Sequence, residues 1–468
     1  MLLELIKKDL KISLKDLKFQ IFGTIIVILF IISTISSINI LETSLKNYES
    51  NISIYTANTT SISKSMLSMT SGNHVYYQKP ELSNIIYSDN KFPDKISTSI
   101  TNFMPYASNG TSSDIQLSWI FIIGVVCSFA FLVFAFDSLS KEKKDGTLRL
   151  LTIGTKSRIT ILFSKFLTIL LIFSGIVLTA IIVSLLYIAI YYGDMINDFI
   201  VPALFFYIIS IVYISIFILL GLIISMSKKT DAGLIRSLVF WVFLVIVIPL
   251  SAELIGTKLV PIKTSAKYDK ESSDAYNKEF NEWVSKYDNE NGNHVRGNGY
   301  LEDGLRPAAY YASREKMAVK YVERFSDYEH QYNIISYISY LSPFSIYQTI
   351  MERILDKGIT KFNNEINQFS SFRQDIENEM KNADKLDETS LHFFYRGAYG
   401  DAPVVSGKGL YPFSNKEFPK PEKLVFKYRQ SGISERITNA FYFILGFVGV
   451  LVILISYTAL RFKRFDVR

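Results

Sequence analysis

Six stretches of this chain, residues 21–41, 117–137, 161–192, 199–226, 234–254 and 436–460, are apolar over roughly the length needed to cross a bilayer. A hydrocarbon core of about 30 Å takes about 20 residues of helix. Inside it every backbone N–H and C=O must find its partner within the protein, which restricts a crossing segment with this pattern to an α-helix. The fifth stretch is the shortest apolar run, because Arg236 and Glu253 bracket it, and it spans only if the long Arg236 side chain reaches back to the interface. With 49% hydrophobic residues in 468, the chain reads as a mainly α, polytopic membrane protein with six transmembrane helices.

The lysines and arginines in the short connections set the orientation. Lys7, Lys8, Lys11, Lys15 and Lys18 precede the first span. Lys141, Lys143, Lys144, Arg149, Lys156 and Arg158 follow the second, Lys228, Lys229 and Arg236 follow the fourth, and Arg461, Lys463, Arg464 and Arg468 follow the sixth. All four clusters fall on one side, whereas the turn "YYGDMINDFI" carries Asp194 and Asp198 and no cation. Both termini are therefore expected in the cytoplasm, with residues 138–160, 227–233 and 461–468 beside them. Residues 42–116 and 255–435 are then two extracytoplasmic insertions. A net charge of +7 fits headgroups and topology, and no nucleic-acid motif accompanies it.

Residues 1–20 repeat Leu3, Ile6, Leu10, Leu14 and Leu17 at three- and four-residue steps with lysines on the other face, the pattern of an uncleaved amphipathic helix at the cytoplasmic interface. The first insertion, rich in Ser, Thr and Asn, predicts a small mixed or irregular domain. The second is expected to be mostly helical: two helices separated by the Asn/Gly cluster 289–299, then "LSPFSIYQTIMERILDKG". In the latter Ser342 is the N-cap, Pro343 the first helical residue and Gly358 the stop, and Phe344, Tyr347, Met351, Ile354 and Leu355 share one face. Its aromatics suit an interfacial belt. Residues 395–421, with several Gly and Pro, read as a loop before the last span. The lone Cys127 permits no intrachain disulfide, and His74, His294, His330 and His392 form no metal-binding spacing.

The stretch "FDSLSKEKKDGTLRLLTIGTKSRITILFSKFL" crowds charge between the second and third spans. Asp145 and Gly146 punctuate it, Thr147 is placed to cap a new turn, and Leu148, Leu151 and Thr152 fall on one face of a short helix. Such a helix at the cytoplasmic surface needs an apolar groove to cover it, with Glu142, Arg149, Lys156 and Arg158 as its polar rim. A solvated positive-inside turn is the competing reading. Asp137 and Lys165, at the inner ends of the two spans, are close enough in topology to pair; both also lie within about one turn of the interface, where each can instead snorkel to it, which is the stronger reading.

This stretch resembles the first cytoplasmic loop of ABC-2 type transporter permeases, in Glu142, Gly146, Thr147, Leu148, Leu150, Leu151, Arg158 and Lys165, in that order. It departs from the pattern where Gly154, Thr155 and Lys156 stand in place of a proline ahead of Ser157 and Arg158. "YLSPFSIYQTIMERI" and "SGNHVYYQKPELSNIIY" are similar to the large-loop branch that includes the nitrous-oxide-reductase maturation permease. The resemblance implies a non-catalytic permease subunit in a bacterial cytoplasmic membrane, coupled through Glu142, Gly146, Thr147, Leu148, Arg149, Leu151 and Arg158 to a dimer of cytoplasmic ATPase subunits. It also implies a second permease subunit, identical or not. ATP and magnesium then belong to the ATPase, and this chain carries no cofactor: "GTKS" at 154–157 lacks the glycine spacing and Gly-Lys step of a phosphate-binding loop.

Three roles follow for such a chain: export of a substrate, transmission of ATP-driven motion to an extracytoplasmic partner, or passive anchoring of an outer receptor domain. Only the first two need the crowded loop. No span carries a line of polar residues at helical spacing, which favours an amphiphilic cargo or none. The topology predicts that a membrane-impermeant thiol reagent added outside intact cells labels cysteines placed at Ser50, Asn293 and Gly400 and misses those at Lys144, Lys229 and Lys463; labelling at Lys144 reverses the orientation.

Overall fold

The computed structural model describes residues 2–62, 73–88, 95–99, 117–149, 157–193, 196–226, 233–288, 305–387 and 425–465. Six of its helices are long and apolar enough to cross a membrane. In chain order the elements are α1 (Leu2–Ser13), α2 (Leu17–Ile62), β1 (Asn73–Tyr77), β2 (Lys95–Ser99), α3 (Trp119–Lys144), α4 (Arg158–Tyr191), α5 (Ile196–Ser225), α6 (Gly233–Leu259), α7 (Ser265–Tyr287), α8 (Leu305–Ser339), α9 (Pro343–Ile354), α10 (Gly358–Leu386) and α11 (Ile433–Lys463). Spans α2 to α6 and α11 place α1 and the end of α11 at one end of the bundle, here called the basic end. The hairpin, α7, α8 and α10 lie at the other, here labelled the outer end, and α9 runs from there in among the spans.

The core of the bundle is α3 and α5, which pack along each other, with α4 against α5 and α2 against α4. Phe131 and Phe173 meet edge to face at 4.7 Å between ring centres, and Trp119 packs on Phe30, Phe199 and Phe206. These rings fill space between helices without bringing polar atoms into the apolar interior. The exception, the Trp119 indole N–H, reaches Thr34 Oγ1 at 3.3 Å, and Thr34 in turn meets Ser184 Oγ at 3.1 Å. Spans α6 and α11 stand at the periphery, their exposed Leu, Ile, Val and Phe side chains facing outward.

Helix α2 does not stop near residue 41. It runs on to Ile62, so the first insertion begins as a rigid continuation of the span. Leu41, Leu45, Tyr48, Ile52 and Tyr55 recur at alternating four- and three-residue steps, a helical seam that the Ser/Thr/Asn composition around it obscures. Strands β1 and β2 pair antiparallel, with Tyr76 opposite Ile96. In the second insertion α7 and α8 pack along each other, and α8 also packs on α6. Helix α10 is absent from the expectations above, although Phe362, Ile366, Phe369, Ile376 and Met380 repeat at helical steps. The Asn/Gly cluster 289–299 and the loop 395–421 lie outside the described residues.

Helix α9 begins as its sequence requires: Ser342 Oγ accepts from the Ser345 N–H at 3.4 Å and Pro343 occupies the first turn. It does not rest on the span ends. Tyr347, Ile350 and Met351 are fully buried in the same apolar cluster as the spans, with α9 packed against α5 and α11. Both π-helical turns described in the spans, Ile122–Cys127 in α3 and Phe243–Val247 in α6, lie against it. A π turn widens the helix and loosens its hydrogen-bond ladder; here the Gly124 carbonyl accepts from the Tyr213 hydroxyl at 2.6 Å. Gly124 is required for the approach, since a Cβ there would sit 2.4 Å from the Phe344 ring.

Candidate coupling site and the outer polar network

At the basic end, α3 finishes at Lys144 and the chain turns through Asp145 and Gly146. Gly146 takes φ of +69°, a conformation that side chains with a Cβ resist, and so permits the reversal. The Thr147 hydroxyl donates to the Glu142 carbonyl at 3.2 Å. It therefore completes the end of α3, where carbonyls lack partners, rather than capping a new turn. Thr147 to Arg149 continue in helical conformation, and Asp145, Gly146, Thr147 and Arg149 are exposed.

Leu148 departs from the expectation of a residue offered to a partner. It is 1% exposed and belongs to the chain's own apolar core. The turn thus covers Leu148 with its own spans, and among the described residues the surface it presents is polar. Leu151, with Leu150, Gly154, Thr155 and Lys156, lies outside the described residues. Arg158, exposed at the start of α4, donates through Nη1 to the Phe465 carbonyl at 3.2 Å, and Lys143 Nζ lies 4.9 Å from the Phe465 ring centre. The segment following α11 therefore closes against both sides of the loop.

Asp137 and Lys165 do not pair with each other. Lys165 Nζ bridges Glu142 Oε1 at 2.5 Å and Asp9 Oδ2 at 3.0 Å, whereas Asp137 meets Lys18 at 3.1 Å on an exposed face. The reason is rotation: Glu142 lies five residues beyond Asp137, about 140° around the helix, so the two carboxylates face different neighbours. Lys165, only 8% exposed, is the point at which α1, α3 and α4 are tied together. Glu142 thus links the exposed turn to two other helices.

A second polar network occupies the outer end. Glu352 on α9, 4% exposed, accepts from the Tyr332 hydroxyl of α8 at 2.6 Å and from the Tyr87 hydroxyl of the first insertion. Arg353 donates to the Asn439 carbonyl of α11 at 3.3 Å and lies over the Phe443 ring. The next turn is clamped by Glu81, whose oxygens reach Lys357 at 3.1 Å and Lys361 at 3.0 Å and accept from Gln430 at 2.6 Å. Burial works against the Glu81 charge, but the two ammonium groups outweigh it and hold the carboxyl down at about 2. Its contribution to folding is full above the ordinary value of 4.5 and is lost as pH falls toward 2. Lys357 and Lys361 are recognisable in sequence as an i, i+4 pair; their carboxylate partner, some 280 positions earlier, is not.

The family described as ABC-2 family transporter protein matches residues 3–467, nearly the entire chain. No curated protein and no solved structure matches. The chain belongs to the ABC-2 transporter family. It is a membrane permease component of an ABC transporter, not itself catalytic, of a family that associates with an ABC ATPase.

The Lys165 tie generates a direct prediction. Lys165→Ala leaves two carboxylates facing each other with little solvent, which costs about 3 kcal/mol. It is expected to lower the thermal unfolding midpoint in detergent and to release α1 to faster amide exchange, and Lys165→Arg to restore both.

Proposed function

We propose that this permease subunit, with a second permease subunit, couples ATP hydrolysis on a separate cytoplasmic ATPase dimer to export of a substrate across the bacterial cytoplasmic membrane. Its basic end is then the cytoplasmic one. The observation that supports this most is the exposed turn Asp145–Arg149 built directly onto Glu142, whose carboxylate meets Lys165. A push on that turn acts at once on α3, α4 and α1. In this reading Gly146 shapes the turn, Leu148 anchors it to the spans, and Thr147, Arg149 and Arg158 form the polar contact with the ATPase. Leu151 joins that surface as a proposal from the family pattern. The ATPase holds the ATP and magnesium. The large-loop branch remains part of the proposal, on the strength of the Ser342–Pro343 helix start.

Docking is tested by Arg149→Glu combined with Arg158→Glu. Reversing two exposed charges at an interface rim is expected to reduce co-purification of the ATPase about tenfold or more while the permease still inserts. Undiminished co-purification and ATP turnover in the double variant would remove these residues from the interface. Leu148→Asp is unsuitable for this purpose, because it buries a carboxylate within the permease itself.

One observation favours a second reading, in which movement of the outer domain is the output and acts on an extracytoplasmic partner. Helix α9 is buried among the spans, yet its Glu352 holds both insertions. Motion of the spans therefore has a packed route outward. Cysteines replacing Tyr87 and Gln348, whose side chains meet at 3.1 Å, joined by a short bifunctional reagent, test it. Loss of cellular activity with continued ATP hydrolysis is the outcome for a lever; a plain exporter, in which these parts travel together, keeps its activity.

A further inference from the structure

On α10, Glu365 is 2% exposed, and Phe362 and Phe369, which share its helix face, cluster with Tyr76, Phe426 and Tyr428. The Tyr76 hydroxyl donates to Glu365 Oε1 at 3.0 Å. The nearest lysines are otherwise engaged: Lys361 and Lys357 both pair with Glu81, and Lys357 also donates to Asn84 Oδ1 at 2.8 Å. Among the described residues no cation lies within ion-pairing distance of Glu365. It is a buried carboxyl group whose hydrogen bond comes from a different part of the chain.

We propose that Glu365 is a proton-binding switch of the outer domain: protonated, it keeps β1 seated on α10, and ionised, it loosens that seat. The ionisable groups around it come from every element packed there. They are Tyr76 on β1, Glu81 in the turn after it, Lys357 and Lys361 at the start of α10, Tyr428 ahead of α11, and Tyr332 on α8, whose hydroxyl is committed to Glu352. Burial pushes the Glu365 carboxyl up; Lys361, the Tyr76 hydrogen bond and Lys357 pull it down, and the Glu81 charge adds to the rise, leaving it at about 7. The stabilisation is therefore complete below the ordinary carboxylate value of 4.5 and lost as pH rises through 7. Glu81 titrates below that window, so the two carboxyls give separable signals. Tyr76 is the strand's buried anchor, packed edge to face on Phe426 at 4.9 Å, so a charge placed beside it acts on the seat of the whole hairpin.

The test is amide hydrogen exchange of β1 in the full-length protein in detergent at pH 5, 6, 7 and 8, corrected for intrinsic exchange rates. Local opening of residues 73–77 is expected to rise about tenfold per pH unit between about 5 and 7 and to level off above. Glu365→Gln should remove the slope. A flat wild-type profile, or a slope that persists in Glu365→Gln, overturns the proposal. If the Gln variant does not elute as a folded protein, Tyr76→Phe decides: it deletes the donor that favours the ionised form, so the upper break must move to higher pH. A break that stays in place overturns the switch.

Discussion

The architecture depends on one constraint: where the surroundings are hydrocarbon, a polar group must be satisfied inside the protein or kept at an end. Many hydroxyls in the spans obey it by bonding back to a carbonyl of the preceding turn, as Ser164 does to Ile161, or to a neighbouring helix, as Ser210 does to Tyr347 at 2.8 Å; the buried Ser140 and Thr168 hydroxyls have no such bond among the described residues. Where a π turn frees the Gly124 carbonyl, Tyr213 is there to donate to it. Full charges are confined to the two ends of the bundle. There they assemble into networks that join helices far apart in the chain, because a partly buried charge tolerates its position only with a partner at hand.

That constraint explains why so much of the fold was legible in the sequence. The spans, the capped start of α9 and α1 each carry a local signal: length, a Ser-Pro pair, or a period; but α1 ends at Ser13, and Leu17, read as part of its face, opens α2. The features that escaped are those whose local signal is weak or whose partner is distant. The extension of α2 hides its seam under Ser, Thr and Asn. Helix α10 is polar enough that its Phe362, Ile366 and Phe369 face is easily passed over, and its burial depends on β1, which arrives from the other insertion.

The candidate site shows the same division. Glu142, Gly146, Arg149 and Arg158 could be assigned to one corner because they are neighbours along the chain. The partners of Lys165 could not, because choosing among Asp9, Asp137 and Glu142 requires knowing how α3 is rotated against α4. Leu148 illustrates a different limit: an amphipathic pattern states that a face needs covering and is silent on whether a separate protein or the chain's own spans supplies the cover. Here the spans cover Leu148, and the exposed loop residues among those described are Asp145, Gly146, Thr147 and Arg149.

Helix α2 is also a solid body. Its 46 residues form a continuous rod of about 69 Å, more than twice the thickness of a hydrocarbon core. Pivoted near mid-membrane, such a rod carries its outer tip sideways by about 8 Å for a tilt of only ~10°, without bending and without breaking a backbone hydrogen bond. The membrane thus becomes a fulcrum. In a straight rod of this length, a small angular adjustment at one face becomes, at the other, a displacement comparable to the width of a helix.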